Sequence, residues 1–203
     1  MRIAVFVSGR GSNLKAILNR ADLKNIAEVA AVVSDKKDCK AFEIAQQFGI
    51  KTITLGESEG NVSQKDILFT FAELDIDFVV LAGYLKLVPV DVIANFENRI
   101  INIHPALLPS FGGKGMYGMN VHRAVFESSA KVSGATIHFV NNTYDTGKII
   151  AQKCVDISDV KSAEEIAEKV LEIEHQLLPE VIMAFAQNRI KIEYNKVRII
   201  RED

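Results

Sequence analysis

The chain has 203 residues, 48% of them hydrophobic and 25% charged, which are ordinary proportions for a globular protein with one buried core. Its 24 basic and 26 acidic residues give a net charge of −2 without a basic stripe, a balance that excludes an ordinary duplex-binding protein. Two cysteines exclude a disulfide framework, and no apolar run approaches the roughly 20 residues of a membrane-spanning helix, so we expect a soluble, cytoplasmic protein.

The first half of the chain alternates apolar runs with amphipathic helical segments. Apolar runs predict five strands, at 3–7, 29–33, around 53, 78–81 and 100–103. Because these runs lack polar alternation, they are typical of strands that are covered on both faces, as in a parallel sheet. The β-α-β-α-β order predicts an α/β fold with a doubly wound, mostly parallel, Rossmann-like sheet.

The pattern changes after residue 110. The segment Phe111–Asn120 is rich in glycine and has no periodicity, which predicts an irregular loop. Two more strands are predicted at 136–140 and 148–155, and a capping box at Ser162 opens a long helix that Pro179 is expected to kink or divide. The last predicted element is a small C-terminal hairpin around Asn195-Lys196.

The segment Ser8-Gly9-Arg10-Gly11-Ser12-Asn13 joins the first strand to the first helix. Its glycines allow a close approach of the backbone to a ligand, and a helix that begins with Ser12 or Asn13 as N-cap directs N–H groups and its positive dipole end at an anion. The segment therefore predicts a phosphate site, the alternative being a tight turn without ligand. Leu14 replaces the third glycine of a dinucleotide loop and Asp35 matches its ribose-binding acid only weakly, so a phosphate monoester suits the loop better than a pyrophosphate.

Asn102 and His104 are two residues apart on the fifth predicted strand, so both side chains point to one side at its carboxyl end, where the phosphate loop also opens. Both groups can donate hydrogen bonds to an oxyanion, and histidine moves protons near neutral pH, which favours acyl-group chemistry. No Gly-x-Ser-x-Gly elbow occurs, so we infer direct transfer between two bound substrates. Asp145 is the candidate acidic partner that favours the charged imidazole, although taken alone its segment is typical of a simple turn.

Several motifs follow one another along nearly the whole chain. They are Ser8–Asn13, Leu81–Lys86, Asn102–Pro109, Gly134–Val140, Asp145–Gly147 and Glu174-His175. In these motifs the sequence resembles the phosphoribosylglycinamide formyltransferase family, folate-dependent transformylases of purine biosynthesis. The Asn-x-His-Pro-x-Leu-Leu-Pro segment indicates only the wider group of formyltetrahydrofolate-using enzymes, whereas the Gly-Ser-Asn loop and the single-domain length indicate this family.

The resemblance implies a single domain of formyltransferase fold over residues 1–203. Its phosphate-binding half would span about 1–100 and its folate and catalytic half about 100–203. The implied activity is transfer of the formyl group of the cosubstrate 10-formyltetrahydrofolate to the amine of glycinamide ribonucleotide, without a metal. These two small molecules would be its partners, with neither nucleic acid nor membrane involved, and the chain would be a monomer or a homodimer.

The resemblance also implies roles for individual residues. Asn102, His104 and Asp145 would form the catalytic set, stabilising the oxyanion and moving a proton to the departing folate nitrogen, with Asp145 raising the pKa of the histidine. The other implied sites are Gly11, Ser12 and Asn13 for the phosphate, Glu174 for the ribose, His138 as support near the catalytic residues, and Lys65, Leu85, Lys86, Leu87, Val88 and Asn102 for the folate, of which Lys65 is the loosest match.

One segment departs from the family pattern, and two other functions compete. Residues 111–119 replace the short Pro-Gly turn that the family usually carries, which leaves the shape of this loop open. Relatives that transfer formyl groups to water or to aminoacyl-tRNA carry an additional domain, for which we expect no room in this chain. A non-catalytic nucleotide-binding module that uses residues 9–13 alone would leave Asn102 and His104 without a role.

Overall fold

The computed structural model describes residues 1–200. The strands are β1 Arg2–Val7, β2 Glu28–Ser34, β3 Lys51–Thr54, β4 Phe78–Leu81, β5 Ile100–His104, β6 Val132–Phe139, β7 Ile149–Asp156, β8 Ile190–Glu193 and β9 Lys196–Ile199. The helices are α1 Ser12–Asn19, α2 Lys40–Gln47, α3 Ile67–Glu73, α4 Val90–Asn95, α5 Met119–Glu127 and α6 Ala163–Ala186. Over this described range, no helix combines the length and the apolar character needed to cross a membrane.

The main sheet has seven strands in the order β3-β2-β1-β4-β5-β6-β7, and β8 and β9 form a separate hairpin. β1 pairs in parallel with β2 and β4, and β2 pairs in parallel with β3, whereas β6 and β7 are antiparallel. The order runs outward from β1 to β3 and then restarts at β4, which is the doubly wound arrangement. The predicted α/β fold with its C-terminal hairpin is therefore confirmed.

The chain divides into two compact units, with the boundary inside β5 after Ile101. In the first unit β1 is buried from Ile3 to Val7, as expected for a strand covered on both faces. The ring of Phe6 makes edge-to-face contacts with Phe71 and Tyr84, at centroid distances of 6.1 and 5.1 Å. The apolar runs of the sequence that lack polar alternation thus form the sheet core of this unit.

In the second unit, α6 runs unbroken from Ala163 to Ala186 although it contains Pro179. Of the two effects expected of Pro179, division of the helix was wrong, whereas a kink stays a prediction. Proline removes one backbone hydrogen bond, but its neighbours Leu178, Val181 and Ile182 are fully buried, and their packing holds the helix together across that position. The helix begins as predicted, because the Ser162 hydroxyl accepts a hydrogen bond from the Glu165 N–H at 3.2 Å.

The start of α1 also differs from the prediction. Gly11, and neither Ser12 nor Asn13, is the N-cap residue, and it adopts the left-handed conformation with φ 77°. A Cβ atom at Gly11 would lie 2.7 Å from the Cβ atom of Ala41, so both the backbone conformation and the close approach of α2 require glycine.

We therefore expect Gly11→Ala to lower the free energy of unfolding by about 1–3 kcal/mol, because alanine strains the backbone and collides with Ala41. Gly9→Ala is the matched control: no atom lies within 4 Å of its added Cβ, and its free energy should change by less than about 0.5 kcal/mol. Urea unfolding of both variants measures the difference, and equal stabilities would contradict the explanation.

Candidate active site

Four polar side chains of the second unit, those of Asn102, His104, His138 and Asp145, form one cluster. The Nδ1 atom of His104 lies 3.6 Å from Asp145 Oδ2, and the Nε2 atom of His138 lies 3.5 Å from Asp145 Oδ1. The amide nitrogen of Asn102 lies 3.0 Å from the same Nε2 atom of His138. The structure thus brings together the three side chains predicted to be catalytic and places His138 in contact with two of them.

Local backbone geometry explains why the side chains of Asn102, His104 and Asp145 lie close together. Asn102 and His104 alternate with apolar residues on β5, so they project to the same side of the strand. Asp145 lies in the turn between β6 and β7 and adopts the left-handed conformation with φ 55°. Gly147 ends this turn against the Phe139 carbonyl, leaving no space for a Cβ atom. The side chains of His104 and Asp145 are only 3% and 10% exposed.

The hydrogen-bond partners fix the tautomers of both rings. His104 Nε2 lies 2.8 Å from the Phe111 carbonyl oxygen, which can only accept, so Nε2 carries the hydrogen and the neutral ring has its lone pair at Nδ1. His138 Nδ1 likewise donates to the Phe139 carbonyl at 2.7 Å, so in this tautomer Nε2 has the lone pair and accepts from the Asn102 amide. The amide nitrogen of Asn102 has a second hydrogen for another acceptor.

Burial and the nearby Asp145 charge have opposite effects on the pKa of His104. Burial lowers the pKa of His104 below the usual 6.5, and although the Asp145 charge and the Phe111 carbonyl act in the opposite direction, burial prevails. The expectation that Asp145 raises the histidine pKa is therefore confirmed for that interaction, while burial makes the net shift downward. Burial pushes the pKa of Asp145 upward, but the interactions with His138 and His104 and the hydrogen bond from the Gly113 N–H together bring this pKa below its ordinary value.

The glycine-rich segment contributes contacts that sequence analysis missed. Besides the Phe111 carbonyl on His104, the Gly113 N–H donates to Asp145 Oδ2 at 2.8 Å. A Cβ atom at Gly112 would lie 2.5 Å from Leu108 Cδ2 and 3.2 Å from Asp145 Cβ, so the backbone passes directly beside the carboxylate. Backbone groups carry no residue-specific signal, so the sequence offered no means of finding these contacts.

A second missed residue is His122 on α5, a helix that we did not predict. Its side chain is buried, and its Nδ1 atom has no hydrogen-bond partner among residues 1–200. Burial, together with the charge of His104, lowers the pKa of His122 to about 4. His122 is therefore neutral near pH 7 and adds an uncharged imidazole near His104.

The remaining predicted ligand residues lie in both units. In the first unit, the backbone turn at Gly11 leads into Ser12 and Asn13, the first two residues of α1, and the first turn of a helix points its N–H groups out of the helix. Leu85 and Leu87 are exposed, Val88 is buried, and Lys86 pairs with Asp35 at 3.4 Å. Lys65 is exposed, and Glu174 is buried on α6 of the second unit.

The ligand roles of these residues, and the expectation that the phosphate loop and His104 face one crevice, stay predictions. Within residues 1–200, no group of three or more His, Cys, Asp or Glu side chains is arranged to hold a metal ion.

Comparisons with known proteins agree in the family they indicate. A family model described as formyl transferase matches residues 1–182. The chain is 44% identical over 205 residues to the chloroplastic phosphoribosylglycinamide formyltransferase of Arabidopsis thaliana, covering 98% of this chain and 70% of that protein. It is 35% identical over 199 residues to the phosphoribosylglycinamide formyltransferase of Escherichia coli, covering 96% and 92%. The crystal structure of phosphoribosylglycinamide formyltransferase from Anaplasma phagocytophilum superposes with a TM-score of 0.87 at 32% identity, covering 100% and 96%.

We expect Asp145→Asn to lower the pKa of His104 further, because the substitution removes the negative charge that opposes the effect of burial. NMR titration of the histidine ring resonances measures the change. His175 is the internal control, since burial alone lowers its pKa, and its titration should stay where it is. An unchanged or raised His104 pKa in Asp145→Asn would contradict this account of the site.

Proposed function

Because the chain belongs to the phosphoribosylglycinamide formyltransferases of the formyl transferase family, which use 10-formyltetrahydrofolate as cosubstrate in purine biosynthesis, we propose that Asn102, His104 and Asp145 perform its formyl transfer. The observation that carries the proposal is the buried pair of His104 Nδ1 and Asp145 Oδ2, 3.6 Å apart. Its imidazole is neutral and of fixed tautomer, with a carboxylate beside the nitrogen that can take a proton.

In the proposed reaction, the amine nitrogen of phosphoribosylglycinamide attacks the formyl carbon of 10-formyltetrahydrofolate. A carbon–nitrogen bond forms, and the carbonyl oxygen becomes a tetrahedral oxyanion. The bond from the same carbon to the folate nitrogen then breaks. One proton leaves the attacking amine and one is gained by the departing nitrogen, so the net reaction needs no other reactant.

His104 is proposed to move this proton. Its lowered pKa keeps the ring neutral near pH 7, so the Nδ1 lone pair can accept the proton of the attacking amine. The carboxylate of Asp145 then stabilises the imidazolium that forms. The charged ring is a stronger acid, and it returns the proton to the departing folate nitrogen as the carbon–nitrogen bond breaks.

Asn102 is proposed to stabilise the oxyanion. One hydrogen of its amide nitrogen binds His138, and the second is available to the developing charge. His138 in turn is held by the Phe139 carbonyl at 2.7 Å, so the amide is anchored before the substrate arrives. His138 thus acts as a positioning residue for Asn102, and its Nε2 atom lies 3.5 Å from Asp145 Oδ1.

The substrate-binding residues are proposed from the family motifs and from local geometry. The N–H groups of the first turn of α1 and the conformation of Gly11 support phosphate binding by Gly11, Ser12 and Asn13. The buried carboxylate of Glu174 is proposed for the ribose hydroxyls. The folate is assigned to the backbone of Leu85–Val88, with Asn102, Lys65 and the side chain of Lys86 as further contacts.

We expect the purified protein to release tetrahydrofolate from 10-formyltetrahydrofolate only when glycinamide ribonucleotide is present. This dependence follows from direct attack by the amine, because no enzyme nucleophile takes the formyl group first. Spectrophotometric measurement of tetrahydrofolate, with and without the ribonucleotide, tests the proposal. Equal release without the ribonucleotide would indicate a deformylase instead, and absence of release would indicate a non-catalytic binding module.

We expect His104→Ala to lower kcat by about two to four orders of magnitude, the usual effect of removing a general acid–base group that also stabilises the transition state. Asp145→Asn should lower kcat by at least about tenfold. Asp156→Asn is the matched carboxylate control, because Asp156 is exposed at the end of β7, and its kcat should stay within about twofold of wild type. A loss below about threefold in His104→Ala would contradict the assignment.

A further inference from the structure

A partly buried polar relay joins three loops of the first unit. The Ser8 hydroxyl lies 2.8 Å from Asp35 Oδ1, and the Leu85 N–H donates to the Ser8 oxygen at 3.2 Å. The Ser8 N–H also donates to the Gly83 carbonyl at 3.1 Å. Ser8 therefore binds the segment that follows β4 through both its backbone and its side chain. The second carboxylate oxygen of Asp35 lies 3.4 Å from the Lys86 ammonium.

The direction of each hydrogen bond in the relay is determined. A serine hydroxyl has a single hydrogen, and the Leu85 N–H can only donate, so the Ser8 oxygen accepts there and gives its hydrogen to Asp35. A carboxylate is the strongest acceptor for that hydrogen. The Asp35 side chain is 8% exposed, so little water competes for its oxygens, whereas the Lys86 side chain is 66% exposed and its ion pair is correspondingly weaker.

The relay lies at the topological switch point of the sheet. Ser8 follows β1, Leu85 follows β4, and these neighbouring parallel strands are where the strand order reverses. Ligands of open α/β sheets bind at this point, beyond the carboxyl ends of the strands. Asp35, which follows β2, reaches across to both loops from the next strand.

From this geometry we infer that Asp35 is a positioning residue that holds the phosphate loop and the Leu85–Val88 segment in their binding conformations through Ser8 and Lys86. The inference rests on the proposed function for the identity of the two ligands. It replaces the weak expectation of a ribose-binding acid at Asp35, because both carboxylate oxygens are engaged by Ser8 and Lys86. Asp35 itself contacts neither substrate, and its loss would weaken the binding of the ribonucleotide and of the folate together.

Steady-state kinetics of Asp35→Ala, Asp35→Asn and Ser8→Ala test the inference. Asp35→Ala and Ser8→Ala should raise KM for both substrates about five- to thirtyfold and change kcat by less than about threefold, because the loops loosen while the proton-moving residues are unaltered. Asp35→Asn keeps an oxygen acceptor for Ser8, so its effect should be the smallest of the three. Asp38→Ala is the control, an exposed aspartate in the same loop, and both its KM values should match wild type.

Hydrogen exchange of the Leu85 amide provides a second measurement that does not depend on activity. Losing the Ser8 acceptor should accelerate its exchange at least about tenfold in Ser8→Ala, with a smaller acceleration in Asp35→Asn. Unchanged exchange in Ser8→Ala, or unchanged KM values for both substrates in an active Asp35→Ala enzyme, would overturn the inference. Failure of the proposed function appears differently, as a wild-type protein without ribonucleotide-dependent release, and the exchange result then still decides whether the relay orders the loop.

Discussion

The candidate site depends on one buried carboxylate and on what surrounds it. A carboxylate with a side chain only 10% exposed is stable in its charged form only if neighbouring groups compensate for the water it has lost. Asp145 has two imidazoles at 3.5 and 3.6 Å and the Gly113 N–H at 2.8 Å. The two oxygens of Asp145 lie beside His104 and His138. The left-handed conformation of Asp145 therefore determines where its carboxylate lies relative to both rings.

The chemistry of the site follows from how burial competes with charge. Burial disfavours imidazolium at His104 and His122, while Asp145 favours it only at His104. The two rings therefore differ in how readily they become charged, although both are neutral near pH 7. His104 can take up a proton because a carboxylate is ready to stabilise the product, whereas His122, with a pKa of about 4, stays uncharged.

In the first unit, close packing and hydrogen bonds fix the backbone of the loop between β1 and α1. Gly11 approaches Ala41 so closely that only glycine fits, and the Gly9 carbonyl accepts a hydrogen bond from the Ala41 N–H at 3.2 Å. On the other side of the same loop, Ser8 connects to Gly83 and Leu85. A loop held from both sides keeps its N–H groups in one arrangement, which reduces the entropy that the proposed phosphate binding would cost.

The sequence by itself determined the doubly wound sheet, the terminal hairpin and the shared direction of Asn102 and His104, because local periodicity controls strands, helices and the side to which alternate residues point. Tertiary structure alone decided the net pKa shift of His104 and the role of the Phe111 carbonyl, since burial depends on how distant segments pack. It also decided that α6 continues through Pro179, because the packing of buried neighbours outweighs a missing hydrogen bond, which no local pattern records.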